Sequence, residues 1–487
     1  MSKAAISAAL LVFASALNAS AATYYVDQSA GNDANNGSVS SPWKNSPGMS
    51  AYSGSGRLAA GDTVYFDKGD TWLVSGSQGL LIVGGVTYIG DSWGNGTRAT
   101  IKASASLDAG VIRFQDHPTV PTIFKGFDVD ANHTVSTGID INHRFWQLMN
   151  GATKRVENSI VHNVSSSQSA GQYKYGIIIS NFGGTAGYAE NVELINNVVH
   201  DTSRDGICLY PGDNDANDRI RNITVRGNEA YNTGQDSGYC CGAGFLIKGF
   251  VQDAFVENNY AHDNKGAAVF VNSNETNHFG NGPTNVHIRY NILTNNTNNG
   301  IIRIYDGSSP GDPKDLKIYG NLVFNNTITG GLYLGSDLLN TLSLSVYNNT
   351  FYNAPVFVLN SSASITKLDF RNNIVYYTGG TPITGSNRFT QFSNNVTTNP
   401  SFKNAASLPT GFTGTFGSDI RPNSDGLSVV SGSPAIDAGV AIGSPYQGSI
   451  NSLPRPQGGN WDIGAYEFGA QGSAPPSAPT NLKVIIP

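Results

Sequence analysis

The sequence is poor in charge, in cysteine and in long apolar runs. Charged residues make up 13% of the chain and the formal net charge is −6. So few charges suit a surface of many turns and few exposed helices, and the acidic balance excludes a general nucleic-acid binder. Cysteine occurs three times, at Cys208, Cys240 and Cys241, at a spacing that does not fit a zinc site. An odd number leaves one thiol over after any disulfide; a bridge from Cys208 to Cys240 or Cys241 and a vicinal Cys240–Cys241 bond are the pairings expected. No apolar run is long enough to span a bilayer. The run from Ala8 to Leu17 follows Lys3 and precedes Ala19-Ser20-Ala21, which is the pattern of a secretory signal peptide. Residues 1–21 are therefore expected to be removed, and the remainder to be secreted or periplasmic.

Helical periodicity is also missing; what replaces it is a repeat. Asn197, Asn228, Asn259, Asn291, Asn321, Asn349 and Asn373 follow one another at spacings of 31, 31, 32, 30, 28 and 24. A fixed period of this length marks a solenoid or an array. Each asparagine ends a similar phrase, such as Val192-Glu-Leu-Ile-Asn-Asn197 or Val286-His-Ile-Arg-Tyr-Asn291. Five and three residues before the asparagine the side chain is apolar, as in Val192 and Leu194, Ile223 and Val225, or Leu368 and Phe370. Alternation of period two predicts a strand with one buried face. At the turn that must follow, Asn tolerates left-handed φ, and amides stacked one per coil can bond to each other along the axis.

After each turn a second strand follows, and a third then begins at a glycine: Gly206-Ile-Cys-Leu-Tyr210, Gly244-Phe-Leu-Ile-Lys248, Gly266-Ala-Ala-Val-Phe270, Gly300-Ile-Ile-Arg-Ile304. Three strands per coil predict an all-β, single-stranded right-handed parallel β-helix. With these repeats, residues 120–400 resemble the pectate-lyase-like superfamily of secreted β-helix proteins. The opening Tyr24-Tyr-Val-Asp27 and the closing Trp461-Asp-Ile-Gly-Ala-Tyr-Glu-Phe468 look like the ends of such proteins. The expected organisation is a signal peptide (1–21), an N-terminal cap and first coils (22–120), the β-helix (121–400), last coils and a C-terminal cap (401–469), and a tail rich in Pro, Ser and Ala (470–487). Caps are expected because a bare terminal coil exposes its core and a strand edge.

In that superfamily the glycine-started strand is the first strand of a coil, and substrate grooves run along the first-strand sheet. This resemblance places outward on that sheet Cys208 and Tyr210, Leu246 and Lys248, Ala268 and Phe270, and Arg303 and Tyr305. Long loops flank these coils, and long loops in a compact repeat are often functional. Several lyases on this fold use a lysine here as the base that removes the proton α to a uronate carboxylate, which makes Lys248 the candidate base. Desolvation or a neighbouring cation favours the neutral amine that such a base requires. Arg303, with Lys265 and Arg289 as further cations, would hold the carboxylate, and Tyr210, Phe270 and Tyr305 would offer faces for sugar rings. Asp213, Asp215 and Asp218 place oxygen ligands at spacings that suit Ca²⁺, without the glycine and glutamate of an EF-hand. Asp205 and Asp236 form the only obvious carboxylate pair for an inverting hydrolase. His200 and His262 share a column with Tyr231, Phe324, Tyr352 and Tyr376 and read as stacking residues.

The family motifs of particular chemistries are absent. There is no Gly-His-Gly of the polygalacturonase-like hydrolases, no Asp-Pro-His-Asp of the mannuronan epimerases, and no Lys-Ser or Arg-His pair of the alginate and chondroitin lyases. The expected function is a polysaccharide lyase acting by β-elimination on a uronic-acid polymer. A glycoside hydrolase or uronate epimerase is the second reading, and a non-catalytic carbohydrate-binding or surface solenoid the third. The expected partner is an acidic polysaccharide, with neither nucleic acid nor membrane, and the chain is expected to act as a monomer, with Ca²⁺ as the one candidate cofactor.

Overall fold

In a computed structural model, the structure describes residues 21–75, 79–104, 110–141, 149–165, 174–181, 187–212, 219–236, 242–272, 282–297, 300–305, 313–335, 342–359 and 366–469. The chain coils into three parallel sheets of 13, 11 and 11 strands. In coil order they are the first-strand sheet, which includes Asp205–Leu209, Phe245–Lys248 and Ile302–Tyr305; the second-strand sheet, which includes Ala189–Ile195, Ile220–Arg226 and Val251–Glu257; and the third-strand sheet, which includes Val198–Thr202 and Glu229–Thr233. The alternation read from the sequence holds. Val192, Leu194, Ile223, Val225, Leu368 and Phe370 are at most 1% exposed and join one continuous core along the axis. Among the described residues no helix is long and apolar enough to cross a membrane.

The asparagine ladder is complete. Asn197 Nδ2 donates to Asn228 Oδ1 at 3.0 Å, and the same bond links Asn228 to Asn259 and Asn259 to Asn291 at 3.0 Å. It continues through Asn321, Asn349 and Asn373. The second N–H of each amide reaches a carbonyl one coil back, such as Leu194 for Asn228, and each Oδ1 also accepts a backbone N–H. Every polar atom of the buried amide is thus matched, which burial demands. The left-handed φ falls one residue earlier than the sequence suggested. Asn196, Gly227, Asn258, Tyr290, Gly320, Asn348 and Asn372 carry it, because the ladder asparagine itself opens the third strand.

At the N-terminal end, residues 27–62 close the core. Trp43, 1% exposed, stacks on Tyr24 at 4.6 Å, and Trp72 Nε1 donates to the Lys44 carbonyl at 2.8 Å. The C-terminal segment behaves differently from a stack of last coils. Gln391–Ser393 is the last strand of its sheet, and Phe389 covers the final core layer by packing on Phe370 at 4.9 Å. The chain then runs back outside the corner between the second- and third-strand sheets. Asn348 Nδ2 donates to the Asp462 carbonyl at 3.0 Å, and Asn372 exchanges bonds with Val440 at 2.9 and 3.0 Å. Leu427, Ile450, Ala465 and Tyr466 pack there on Ile292, Leu322 and Phe324. The physical reason is that these coils carry outward apolar residues on the third strand, which must be covered. The closing phrase holds this segment together through Arg455 and Glu467, a 2.7 Å ion pair with both side chains at most 1% exposed. Arg455 also donates to the carbonyls of Gly448, Asp462 and Gly464.

Candidate functional site

The outward face of the first-strand sheet is set by register. Cys208 pairs with Leu246, Leu246 with Phe270, and Phe270 with Arg303. One step along each strand, Lys248 pairs with Asn272 and Asn272 with Tyr305. Two adjacent outward columns result, and Lys248 and Arg303 stand in different ones. Lys248 lies at the end of its strand, half-buried, with Nζ 4.2 Å from the centre of the Tyr210 ring. The Arg303 guanidinium lies 5.0 Å from the centres of both Phe270 and Tyr305. Its Nε is buried and donates no hydrogen bond among the described residues, where two rings rather than a carboxylate hold the guanidinium.

The face is more apolar and more covered than expected. Tyr175, Ile178, Cys208, Tyr210, Ala243, Leu246, Ala267 and Phe270 form a buried cluster apart from the main core. Tyr210 is 1% and Phe270 5% exposed, so neither is an open platform for a sugar ring; Lys248 and Arg303 occupy their faces. Ala268 joins the inner core beside Val269 rather than the outer face, because the chain steps in one residue early there and leaves Ala267 outside.

The two candidate carboxylates are both engaged by neighbouring groups. Asp205 is fully buried. Its Oδ1 accepts the backbone N–H groups of Gly242 and Ala243 at 3.0 and 2.7 Å, and its Oδ2 lies 3.3 Å from Arg204 Nε. Burial pushes its carboxyl up, against the opposing pull of Arg204, the two N–H groups and Lys248. Asp205 therefore anchors the backbone that enters the Lys248 strand and offers no oxygen to solvent. Asp236 is engaged by Lys174 at 2.8 Å.

Arg289 stands elsewhere. It belongs to the second-strand sheet, where it pairs with Glu257 at 2.5 Å and donates to the Tyr319 hydroxyl at 3.0 Å. It cannot share a ligand with Lys248. Lys265 is exposed in the turn that leads into the next first strand. Asp213, Asp215 and Asp218, with Cys240 and Cys241, lie outside the described residues, and among the described residues no three His, Cys, Asp or Glu side chains are grouped to hold a metal. Cys208 is buried on the outer face. The histidines stack as expected, His200 on Tyr231 at 4.8 Å and Tyr231 on His262 at 5.1 Å, with His162 extending the column.

Two cations at this face were not singled out from the sequence. Lys174 and Arg204 stand just before Tyr175-Gly176 and Asp205-Gly206, and Arg204 lies 5.7 Å from the centre of the Tyr175 ring. The signal was present: each precedes a strand-opening glycine by two residues, on the side away from the residues that the alternation brought forward. Lys174 and Arg204 are each set against a carboxylate, Asp236 and Asp205.

Comparison with known proteins supports the architecture. A family model described as disaggregatase related matches residues 189–306. The structure of pectate lyase Pel9A is similar with a TM-score of 0.55 at 19% identity, covering 92% of this chain and 96% of that one. GH136 lacto-N-biosidase from Eubacterium ramulus is similar with a TM-score of 0.52 at 15% identity, covering 77% of this chain and 67% of that one. No curated protein matches the chain. At such identities the likeness is one of fold: a right-handed parallel β-helix.

Proposed function

We propose that the chain is a secreted polysaccharide lyase that cleaves a uronic-acid polymer by β-elimination on the outer face of the first-strand sheet. The observation that carries this reading is the outward placement of Lys248 and, two coils further on in the neighbouring column, of Arg303, whose guanidinium is held by aromatic rings and meets no acid among the described residues. A cation without a carboxylate partner is suited to meet one on a substrate. Lys248 Nζ takes the proton α to the uronate carboxylate. The electron pair left behind forms the C=C bond as the β glycosidic C–O bond breaks, and the leaving oxygen gains a proton. Arg303 opposes the charge that develops on the carboxylate. A pectate lyase among the solved structures of this fold is in keeping with that reading. The burial of Asp205 weighs against an inverting hydrolase. Ca²⁺, held by Asp213, Asp215 and Asp218, would neutralise a substrate carboxylate.

The test is incubation with a panel of acidic and neutral polysaccharides, following ultraviolet absorbance of the new conjugated double bond and, separately, reducing ends. Both signals together on an acidic polymer are expected. Reducing ends alone mean hydrolysis, a change of uronate configuration without cleavage means epimerisation, and no change on any polymer favours a binding solenoid. Chelator followed by Ca²⁺ decides the metal: activity that is lost and then restored brings residues 213–218 into the site, and activity indifferent to chelator removes them.

A further inference from the structure

The turn column that carries left-handed φ also docks the C-terminal segment. Asn348 and Asn372 spend their amides on the carbonyls of Asp462 and Val440. Three and four coils toward the N-terminus the same column holds Tyr290 and Asn258, and there the segment stands off. A cavity of about 690 Å³ opens between this corner and residues 416–420 and 447–454, a volume ordinary for a small-ligand site.

Asn258 is 4% exposed and lines the cavity. Its backbone N–H goes to the Arg289 carbonyl at 3.2 Å, yet its amide has no hydrogen-bond partner among the described residues. The Tyr290 hydroxyl has none either, and Gly448 stands directly against it, where a Cβ would collide with the oxygen. At Asn348 and Asn372 the amides are spent on the segment's carbonyls; at Asn258 and Tyr290 the polar atoms open onto the cavity instead, where a ligand can meet them. On the opposite wall Phe416 is 42% exposed. It projects from a turn fixed by the Asp419 carboxylate, which accepts the Thr415 N–H at 2.8 Å, and the Arg226 guanidinium covers one face at 3.7 Å. Leu453 and Ile420 complete an apolar side. The Glu257 carboxylate on the wall is held between two guanidiniums, Arg289 at 2.5 Å and Arg226 at 3.0 Å, so neither cation is without an acid partner.

We infer that this cavity is a second binding site, for a neutral pyranose unit. The ligand class follows from the walls. A sugar ring presents C–H groups to an aromatic or aliphatic face and hydroxyls to an amide and a phenol, and a neutral sugar asks for no unpaired charge. The inference does not depend on the lyase reading, since the cavity lies on the turn corner and not on the first-strand sheet.

The experiment is calorimetric titration of the full chain with cellotriose as neutral probe and trigalacturonate as acidic probe, supported by saturation-transfer NMR. Cellotriose is expected to bind at least as tightly as trigalacturonate at this site. Phe416→Ala and Asn258→Gly should each weaken cellotriose binding by about tenfold or more, the scale of losing a stacked ring or a buried hydrogen bond. Glycine is chosen at 258 because the backbone φ is 52°, so the amide is removed without strain. Lys248→Ala should leave cellotriose binding unchanged. The inference is overturned if the native protein binds no cellotriose, or if both cavity variants bind it as the native protein does. Cellotriose binding in a protein that proves inactive on every polymer supports the inference while removing the lyase reading.

Discussion

The outer face of the first-strand sheet and the asparagine corner are built from the same repeats, yet they treat polar groups in opposite ways. At the corner every ladder amide is matched on three sides, and the C-terminal segment, held together by a buried ion pair, is tied over it by the amides of Asn348 and Asn372. On the outer face Lys248 and Arg303 rest on aromatic rings. Matched buried groups contribute stability and are expensive to disturb. A guanidinium held by rings, as at Arg303, keeps its charge available to a ligand. The contrast separates the part of the molecule that sets stability from the part proposed to carry the reaction, and substitutions can be aimed at either.

The largest effect is expected at Arg455. Arg455→Ala leaves Glu467 buried without its cation, which should cost about 3–5 kcal/mol. Because the segment packs on the outside of the solenoid, its contacts should be lost in an early, separate step of thermal unfolding seen by hydrogen exchange. A single cooperative transition at the native temperature would show that the ion pair does not hold the segment. Next comes Lys248→Ala, expected to lower kcat by about a hundredfold or more, the scale of general base catalysis, with the melting temperature unchanged. Arg303→Ala should raise KM and lower kcat together, since the side chain is asked to hold charge in ground and transition states alike. If Lys248→Ala lost stability rather than turnover, the division between corner and face would fail.

The corner itself can be graded. Asn259→Ala should cost on the order of 1–3 kcal/mol, because three neighbours lose a buried partner. Asn395→Ala, at the part-buried end of the ladder, should cost less. Equal losses at both positions would mean that the ladder does not act through burial.

How much of this was legible in the sequence differs between the two regions for a physical reason. A solenoid core repeats every coil, so Val192, Leu194 and Asn197 declare their environment by recurring. The ladder, the three sheets and the histidine stack could all be read in this way. The outer face has no such repeat, because each coil presents a different residue there. Parity placed Lys248 and Arg303 correctly but could not show that Tyr210 and Phe270 are covered. Nor could parity separate the sheets: Arg289 precedes a ladder position by two residues, which marks it as a second-strand residue, and a charge inventory alone brought it to the wrong face. The path of residues 397–469 was not legible because it has no period. Its phrase Trp461-Asp-Ile-Gly-Ala-Tyr-Glu-Phe468 could be recognised as a closing motif without revealing that Glu467 meets Arg455.

The smallest expected effect sets the sheets of the corner against each other through pH. On the third-strand sheet the hydrogen bond that His162 donates to the Asp128 carboxylate raises His162 above its ordinary value of 6.5. On the second-strand sheet burial, with Lys317 and Arg289 nearby, lowers His287 from 6.5 to about 4. The signs are opposite. A raised histidine contributes stability that is fully present below pH 6.5 and is lost as pH climbs through its folded value. His287 is neutral when folded and takes up a proton more readily when unfolded, so its contribution is present above pH 6.5 and is lost as pH falls from 6.5 toward about 4. The His287 effect should be on the order of 1 kcal/mol after allowance for solvent screening, and the His162 effect is of the opposite sign. His287→Gln should therefore flatten the acid side of the stability curve, and His162→Gln the side above neutrality. Urea midpoints measured across this range test both, and a His287→Gln protein as acid-sensitive as the native one would show that His287 takes up its proton equally well in the folded chain.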